Sequence, residues 1–562
     1  MNETSGPRTL RLLIAATLSI LVVSLVVAVL WVIGSASGGR DRFSSLDIAP
    51  KDAVVYIAIN TAPDSSQWIA FADTLDVLGA RTPVDDAIND ALAEFDLVWQ
   101  DDILPLAGDE GYFALLAEDL NAGDVTWVGG FALRDARRAE QIFLDVAKED
   151  GLELLVTDYE GVEIHFTEAL TIEAELAGEQ SSAVAFFENV MVIASTAEDV
   201  EVGIDVVMGR APSAAENGQL KAATEQYGDD FIAWGYVDLG LFWDGFEDGF
   251  GSQPGLEGAE YSDFIDEARQ SADRLSFALS AHAEGFVIDV SVLNSPDFVP
   301  GEYAAFSKQY ETRLANRVPT STMAFLSGYD IYSQGYLPLK DALSETSSGV
   351  GGDTIEDAIQ ELEDEVGLDF EGDFIELLDR ELALSFNLSD LDEDQPSFDV
   401  LALFEVNEPD AMRQTFLDLG GYLNQQGLIS VVSEREGIHR WTDLGGSGDG
   451  VAWTVFRDVL AVGYPEDTVL GFVAGVDNSL ADTNDWKKTM ELMPDDVTSL
   501  GYFSLSRLLH EIRSVDGAEE DFRDAFDGEL TLDDFEPLRS IGFATTNIEG
   551  GTQTRIVVLV TE

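Results

Sequence analysis

The sequence predicts an α+β protein: an N-terminal transmembrane helix, then two tandem similar domains, each an antiparallel sheet with helices packed on one face. Three observations predict it. Leu12 to Ile33 is 22 residues without a charge. Short motifs recur in the same order through two halves of the chain. Within each half, β-rich runs are joined by tight-turn residues and separated by helical patterns, which is the signature of hairpins and intervening helices.

The apolar run comes first. A helix of that length spans roughly 33 Å, enough to cross a hydrocarbon core of about 30 Å. Arg8 and Arg11 precede it against a single Glu3, so the positive-inside rule places residues 1–11 in the cytoplasm and the C-terminal body outside the cell membrane. The alternative is a cleaved signal peptide, with Ser35-Ala36-Ser37 as the cleavage site, but its usual apolar region is shorter. The chain has no Cys, which excludes a lipobox, disulfides, thiolate metal sites and Cys nucleophiles.

A tether over residues 34–45 leads to a run that opens at Pro50 and reads as a strand through Asn60. Its echo is Val318-Pro319 to Phe325. Further pairs follow at offsets of about 265 to 276 residues: Asp102 to Leu106 with Asp373 to Leu377, Phe143-Leu144-Asp145 with Phe416-Leu417-Asp418, and Glu160-Gly161 with Glu436-Gly437. Asn189-Val190 pairs with Asp458-Val459, Gly235-Tyr236 with Gly501-Tyr502, and Phe277-Ala278 with Phe543-Ala544. Shared order and near-constant offset predict a tandem duplication. Repeat one occupies residues 46–295, a linker 296–313, and repeat two 314–562.

Within the repeats, Ala136, Ala139, Phe143 and Ala147 are spaced for a helix, as are Met412, Phe416, Leu419 and Leu423. Asn407 is the predicted cap of the second helix, with Pro409 in its first turn. Thr196 is predicted to cap a helix over 197–208. Hairpins are predicted to turn at Glu188-Asn189 and at Arg457-Asp458. The acidic stretch Asp516 to Glu536 reads as a hydrated loop.

Composition bounds the partners. The 562 residues carry 107 acids against 30 Lys and Arg, a net charge of −77. Such a surface repels nucleic acid and anionic headgroups. A cationic or protein partner is compatible with it, as is general adaptation of the surface to salty water.

Motifs for chemistry are few. There is no nucleophile elbow, Walker loop or zinc-protease helix. The four His are scattered, and counting from the Glu-Gly turn puts Trp441 opposite His165, so no catalytic or metal role is expected of them. Asp229-Asp230 and Asp495-Asp496 recur in register and are candidates for a duplicated cation or acid–base site. Asp390, Asp392 and Asp394 have the alternate spacing of a hard-cation loop, which would take Ca2+, but lack the Gly and closing acid of an EF-hand. No other cofactor is expected, and no catalytic residue is assigned. Gly445 to Gly450 precedes a strand rather than a helix, which reads as a hairpin connection and not as a phosphate loop.

The opening strand, with Pro50, Asp52, Tyr56 and Asn60 in a P-x-D-x-x-x-Y-x-x-x-N pattern behind a single-pass segment, resembles a bacterial single-pass envelope protein family known only as a domain of unknown function. The resemblance implies an envelope location and supplies no activity and no site residues. The sequence therefore leads to a membrane-anchored extracytoplasmic protein that is a non-enzymatic binding or scaffold protein. The alternatives are a carrier or sensor of an apolar ligand such as a lipid, and a metal-assisted envelope hydrolase.

Overall fold

The computed structural model describes residues 44–62, 65–79, 81, 89, 92, 97–116, 126–149, 154–166, 183–227, 231–243, 272–294, 308–330, 369, 371–378, 380–390, 397–427, 429–435, 437–443, 450–475, 478–515, 517–525 and 531–561. The apolar run Leu12–Ile33 lies outside them. No helix among the described residues is long and apolar enough to cross a membrane.

The chain divides into two compact units, Met1–Ala283 with Val290–Phe298, and Glu284–Asp289 with Val299–Glu562. The first unit holds β1 (Ala53–Asn60), β2 (Ala107–Leu116), β3 (Trp127–Leu133), β4 (Leu155–Tyr159), β5 (Val162–Phe166), β6 (Ala183–Phe187), β7 (Val190–Ala194), β8 (Ala233–Asp238) and β9 (Arg274–His282). They pair in the order β4-β5-β6-β7-β3-β2-β1-β8-β9, each pairing antiparallel. Its helices are α1 (Ser66–Val77), α2 (Ala136–Glu149), α3 (Ala197–Val207) and α4 (Gly218–Tyr227), and β10 (Gly285–Leu293) follows β9 in the chain.

The second unit holds β11 (Ala324–Tyr329), β12 (Glu381–Asp390), β13 (Ser397–Glu405), β14 (Ile429–Arg435), β15 (Ile438–Asp443), β16 (Gly450–Phe456), β17 (Val459–Tyr464), β18 (Ser499–Ser504), β19 (Leu538–Ile548) and β20 (Gly551–Val560). Their order is β14-β15-β16-β17-β13-β12-β11-β18-β19-β20, again antiparallel throughout. Strand for strand, β4 to β9 and β14 to β19 follow one plan. The helices are α5 (Pro409–Gln425), α6 (Glu466–Ala474), α7 (Asn484–Glu491), α8 (Leu505–Ser514) and α9 (Ala518–Ala525).

Local chemistry explains the ends of these elements. The β6–β7 turn places Glu188 and Asn189 at φ +45° and +63°, and Arg457 in the β16–β17 turn is at +59°. Two-residue hairpins need this left-handed backbone to match strand twist. Thr196 caps α3 by accepting from the Asp199 amide at 3.2 Å. Asn407 does not cap α5: the cap position is Glu408, without a side-chain bond, and Pro409 opens the helix. Pro supplies the fixed φ of a first turn and has no amide to satisfy there.

Helices pack on both faces of the sheet at β6–β7 and at β16–β17, not on one. Alternate strand residues point to opposite faces, and neighbours on one strand here meet different helices. In the first unit Ala185 joins the cluster that holds Val200 and Ile204 of α3, while the adjacent Phe186 meets Phe143 of α2 at 5.7 Å. In the second unit Ala452 and Ala461 pack with Val469 and Phe472 of α6, while Trp453, Val455 and Leu460 pack with Met412 and Phe416 of α5. Strands apolar on both faces are what permits the second layer. The Asp516–Glu536 stretch also departs from a plain loop. It contains α9 and a 3-10 turn, Leu532–Phe535, where Thr531 and Asp534 form a reciprocal capping box; acids at helix starts favour the exposed amides.

One register differs between the units. His165 on β5 pairs with Val184, and His439 on β15 pairs with Trp453. Val184 and Trp453 both lie four residues before the equivalent turns at Glu188 and Arg457. The sheet therefore matches His165 with His439, and Ile164 with Ile438, rather than His165 with Trp441. The physical reason is hairpin length. Val162 pairs with Tyr159 beside the turn in one unit, Ile438 pairs with Arg435 in the other, and β5 is two residues longer before it meets β6. A two-residue insertion, Val162-Glu163, preserves the facing of every later side chain.

Candidate functional site

The second unit carries an apolar row on one sheet face that no described helix covers. Leu384, Leu326, Gly501 and Phe543 are successive partners across β12, β11, β18 and β19, so they form one row. Leu326, Leu384 and Phe543 are 46%, 40% and 40% exposed. Phe398 is 46% exposed, stacks on Phe386 at 5.9 Å and meets Tyr464 at 6.2 Å. The residues between them on the same strands, Phe325, Ala383, Leu401 and Ala544, point into the buried core. The first unit builds the same row from Phe113, Ile57, Gly235 and Phe277. There Ile57 and Phe277 are 3% and 5% exposed. Among the described residues, identical topology thus buries Ile57 and Phe277 in one row and leaves Leu326, Leu384 and Phe543 exposed in the other.

A cleft of about 380 Å³ lies elsewhere in the second unit. Arg317, Thr322, Asn387 and Asp399 line it together with Leu401 and Phe472.

In the first unit, Glu140 of α2 and Glu163 and His165 of β5 offer three ligand atoms that all lie within 4.8 Å of one another. His165 Nε2 is 3.0 Å from Glu140 Oε1. His165 is buried and Glu163 is exposed.

Of the acidic residues singled out from the sequence, only Asp495 and Asp496 have described side chains. Asp495 and Asp496 are exposed in the bend before β18. Asp229, Asp230, Asp392 and Asp394 lie outside the described residues, and Asp390 ends β12 with its side chain undescribed. The carboxylate–imidazole cluster was missed because its members are 25 residues apart in sequence and the His was matched to Trp441. A visible signal was the Glu-x-His pattern on a strand, which puts both side chains on one face.

A family model matches residues 13–553, nearly the whole chain. The chain belongs to the family described as protein of unknown function DUF3352. That agrees with the resemblance drawn from the opening strand, and the family description carries no activity. No curated protein matches the chain. Among solved structures, TP0453 in crystal form I is 9% identical, over 46% of this chain and 81% of that one, with a TM-score of 0.25. TP0453 in crystal form III is 9% identical over 47% and 84%, also with a TM-score of 0.25.

Proposed function

We propose that this DUF3352 member is a membrane-anchored extracytoplasmic binding protein. Leu12–Ile33 anchors it, and the exposed apolar row of the second unit's sheet receives a polypeptide that has an apolar face and basic flanks. The observation that carries this reading is the row Leu384–Leu326–Gly501–Phe543 with its neighbour Phe398. Contiguous exposed apolar surface on a protein is the usual mark of an interaction site. The occupant follows from charge. A chain of net charge −77 repels a second copy of itself and anionic lipid, and attracts a cationic partner.

The test is a photoreactive residue placed at Leu384 in the full chain, crosslinked in native membranes. The expected product is an adduct with a separate polypeptide. That polypeptide should then bind the purified full chain, and Phe398→Asp or Phe543→Asp should weaken it about tenfold or more, as for central apolar anchors. Adducts formed only with residues of the same chain, with a second copy or with lipid overturn the reading. So does a partner that binds the two Asp variants unchanged.

Carriage of a small ligand is a second reading, favoured by the 380 Å³ cleft. Its volume is at the lower end for ligand sites, and its mixed apolar and polar lining is typical of them. A thermal shift with small carboxylates that disappears in Arg317→Ala would support it; no shift with any such ligand would remove it.

A further inference from the structure

His165 is 4% exposed. Its Nδ1 is buried without a hydrogen-bond partner, and its Nε2 faces the Glu140 carboxylate at 3.0 Å. Glu163 precedes it by two residues on β5 and so lies on the same face of the strand. One imidazole nitrogen and two carboxylate oxygens converge on a point reachable from solvent on the Glu163 side. The ring thus spends Nε2 on the Glu140 contact and leaves Nδ1 buried without a partner. Burying a polar ring in this state has a cost.

The fold does not require that arrangement. The equivalent of Glu140 in the second unit is Arg413, in the matched sequences Glu140-Gln141-Ile142-Phe143 and Arg413-Gln414-Thr415-Phe416. Arg413 donates to the Val455 carbonyl at 3.0 Å. His439, the ladder equivalent of His165, stacks on Trp453 with ring centroids 4.3 Å apart. Glu163 has no equivalent, because it belongs to the two-residue insertion. The same corner is thus built once from aromatic packing and once from a cation-binding donor set.

We propose that Glu140, Glu163 and His165 bind one divalent transition-metal ion of the zinc class. Zn2+ takes imidazole nitrogen and carboxylate oxygen at about 2.0–2.2 Å, with water completing an open site. Ca2+ and Mg2+ prefer oxygen alone, so the imidazole selects against them. Binding places the ion on Nε2, between the ring and the two carboxylates, in place of the direct His165–Glu140 contact. Two carboxylates that repel one another across the cluster are neutralised by the ion. The site is independent of the apolar face and lies in the other unit.

The test uses the purified full chain in detergent with Co2+ as a spectroscopic probe. The expected result is a d–d absorption that saturates at one equivalent. Zn2+ abolishes it, and a large excess of Ca2+ does not. Glu163→Gln changes an exposed side chain and leaves the core intact; it should weaken the probe by about tenfold or more, at least as much as loss of an outer-shell group. His165→Asn should remove the absorption. Asp495→Asn with Asp496→Asn should leave it unchanged. An absorption equal in the wild type and Glu163→Gln, or one displaced as readily by Ca2+, would mean diffuse binding to the acidic surface and would overturn the site.

Discussion

The ring of Phe277 lies directly over the α-carbon of its cross-strand partner Gly235, so closely that a methyl group at that glycine would overlap the ring. Phe543 covers Gly501 in the same way. The next residue along each strand, Tyr236 and Tyr502, turns inward and is buried. This accounts for the recurrence of Gly-Tyr and of Phe at matching offsets: the glycine makes room for the aromatic, and the tyrosine fills the core. The two sites differ in freedom. Phe277 is 5% exposed and confined, whereas Phe543 is 40% exposed. Gly235→Ala should therefore destabilise its unit by about 1–3 kcal/mol, the usual cost of overpacking. Gly501→Ala should cost less than about 1 kcal/mol, because Phe543 can swing toward solvent. Chemical denaturation of both variants checks the ranking, and equal costs would contradict it.

Glu381 is buried at the start of β12. It accepts the Thr312 hydroxyl at 2.7 Å, the Ser327 hydroxyl at 3.0 Å, and the amides of Arg313 and Leu314 at 2.8 and 3.1 Å. It thereby holds the 3-10 turn that precedes β11. Glu110, at the matching place on β2, accepts the Ser45 amide at 2.8 Å before β1. Burial raises the Glu381 carboxyl above its ordinary value of 4.5, and the four donors offset only part of that rise. The folded state binds the proton more tightly, so the stabilisation from protonation is fully present below the unfolded pKa. It is lost as pH rises through the raised folded value. Glu381→Gln cannot titrate and turns an amide donor toward other donors. At neutral pH it should lower stability by about 1–3 kcal/mol. The deficit should widen as the pH falls toward 4.5; a deficit that narrows would reverse the sign argued here.

At the β6–β7 turn, Glu188 is an ordinary side chain held at φ +45°. The left-handed region costs an L-residue roughly 1–2 kcal/mol, and less for Asn or Gly. Glu188→Asn should raise the unfolding free energy by about 0.5–1 kcal/mol with no change in fold, since the residue is exposed. Asn189→Val, at φ +63°, should do the opposite. Thermal melts of the two variants suffice.

Particular residues show what was legible in the sequence. Turns were, because Glu188-Asn189 and Glu160-Gly161 announce a backbone that few residues adopt. Thr196 was, because a hydroxyl before an apolar-periodic run has one obvious partner. The second helical layer was not. Ala185-Phe186 and Ala452-Trp453 read as continuous apolar runs, and a strand buried on both faces has no alternation to show how many layers cover it. The carboxylate–imidazole cluster was hidden by register. Matching Ile164-His165 to Ile438-His439 requires a two-residue gap, and an ungapped count from the turn slides the histidine onto Trp441. The exposure of Leu326 and Phe543 was also invisible, because their counterparts Ile57 and Phe277 have the same character and are buried. Only the surrounding structure separates them.

The acidic surface leads to a last prediction. With 107 acids and 30 Lys and Arg, carboxylates outnumber cationic side chains more than three to one. Ion pairs such as Arg81–Asp76 and Arg210–Asp205 are partly exposed and each contributes about 0–1 kcal/mol. Mutual repulsion among the remaining acids opposes the compact state. Salt shortens the screening length from about 10 Å at 0.1 M to about 3 Å at 1 M, so repulsion should fall more than the few ion pairs lose. Tm should therefore rise with NaCl, and a gain of about 2 kcal/mol in a unit of this size corresponds to about 4–8 °C. Uncharged osmolyte at matched water activity should give a smaller rise if screening is the cause. A Tm that falls with salt would mean that the ion pairs outweigh the repulsion, and would place the acids in locally compensated networks instead.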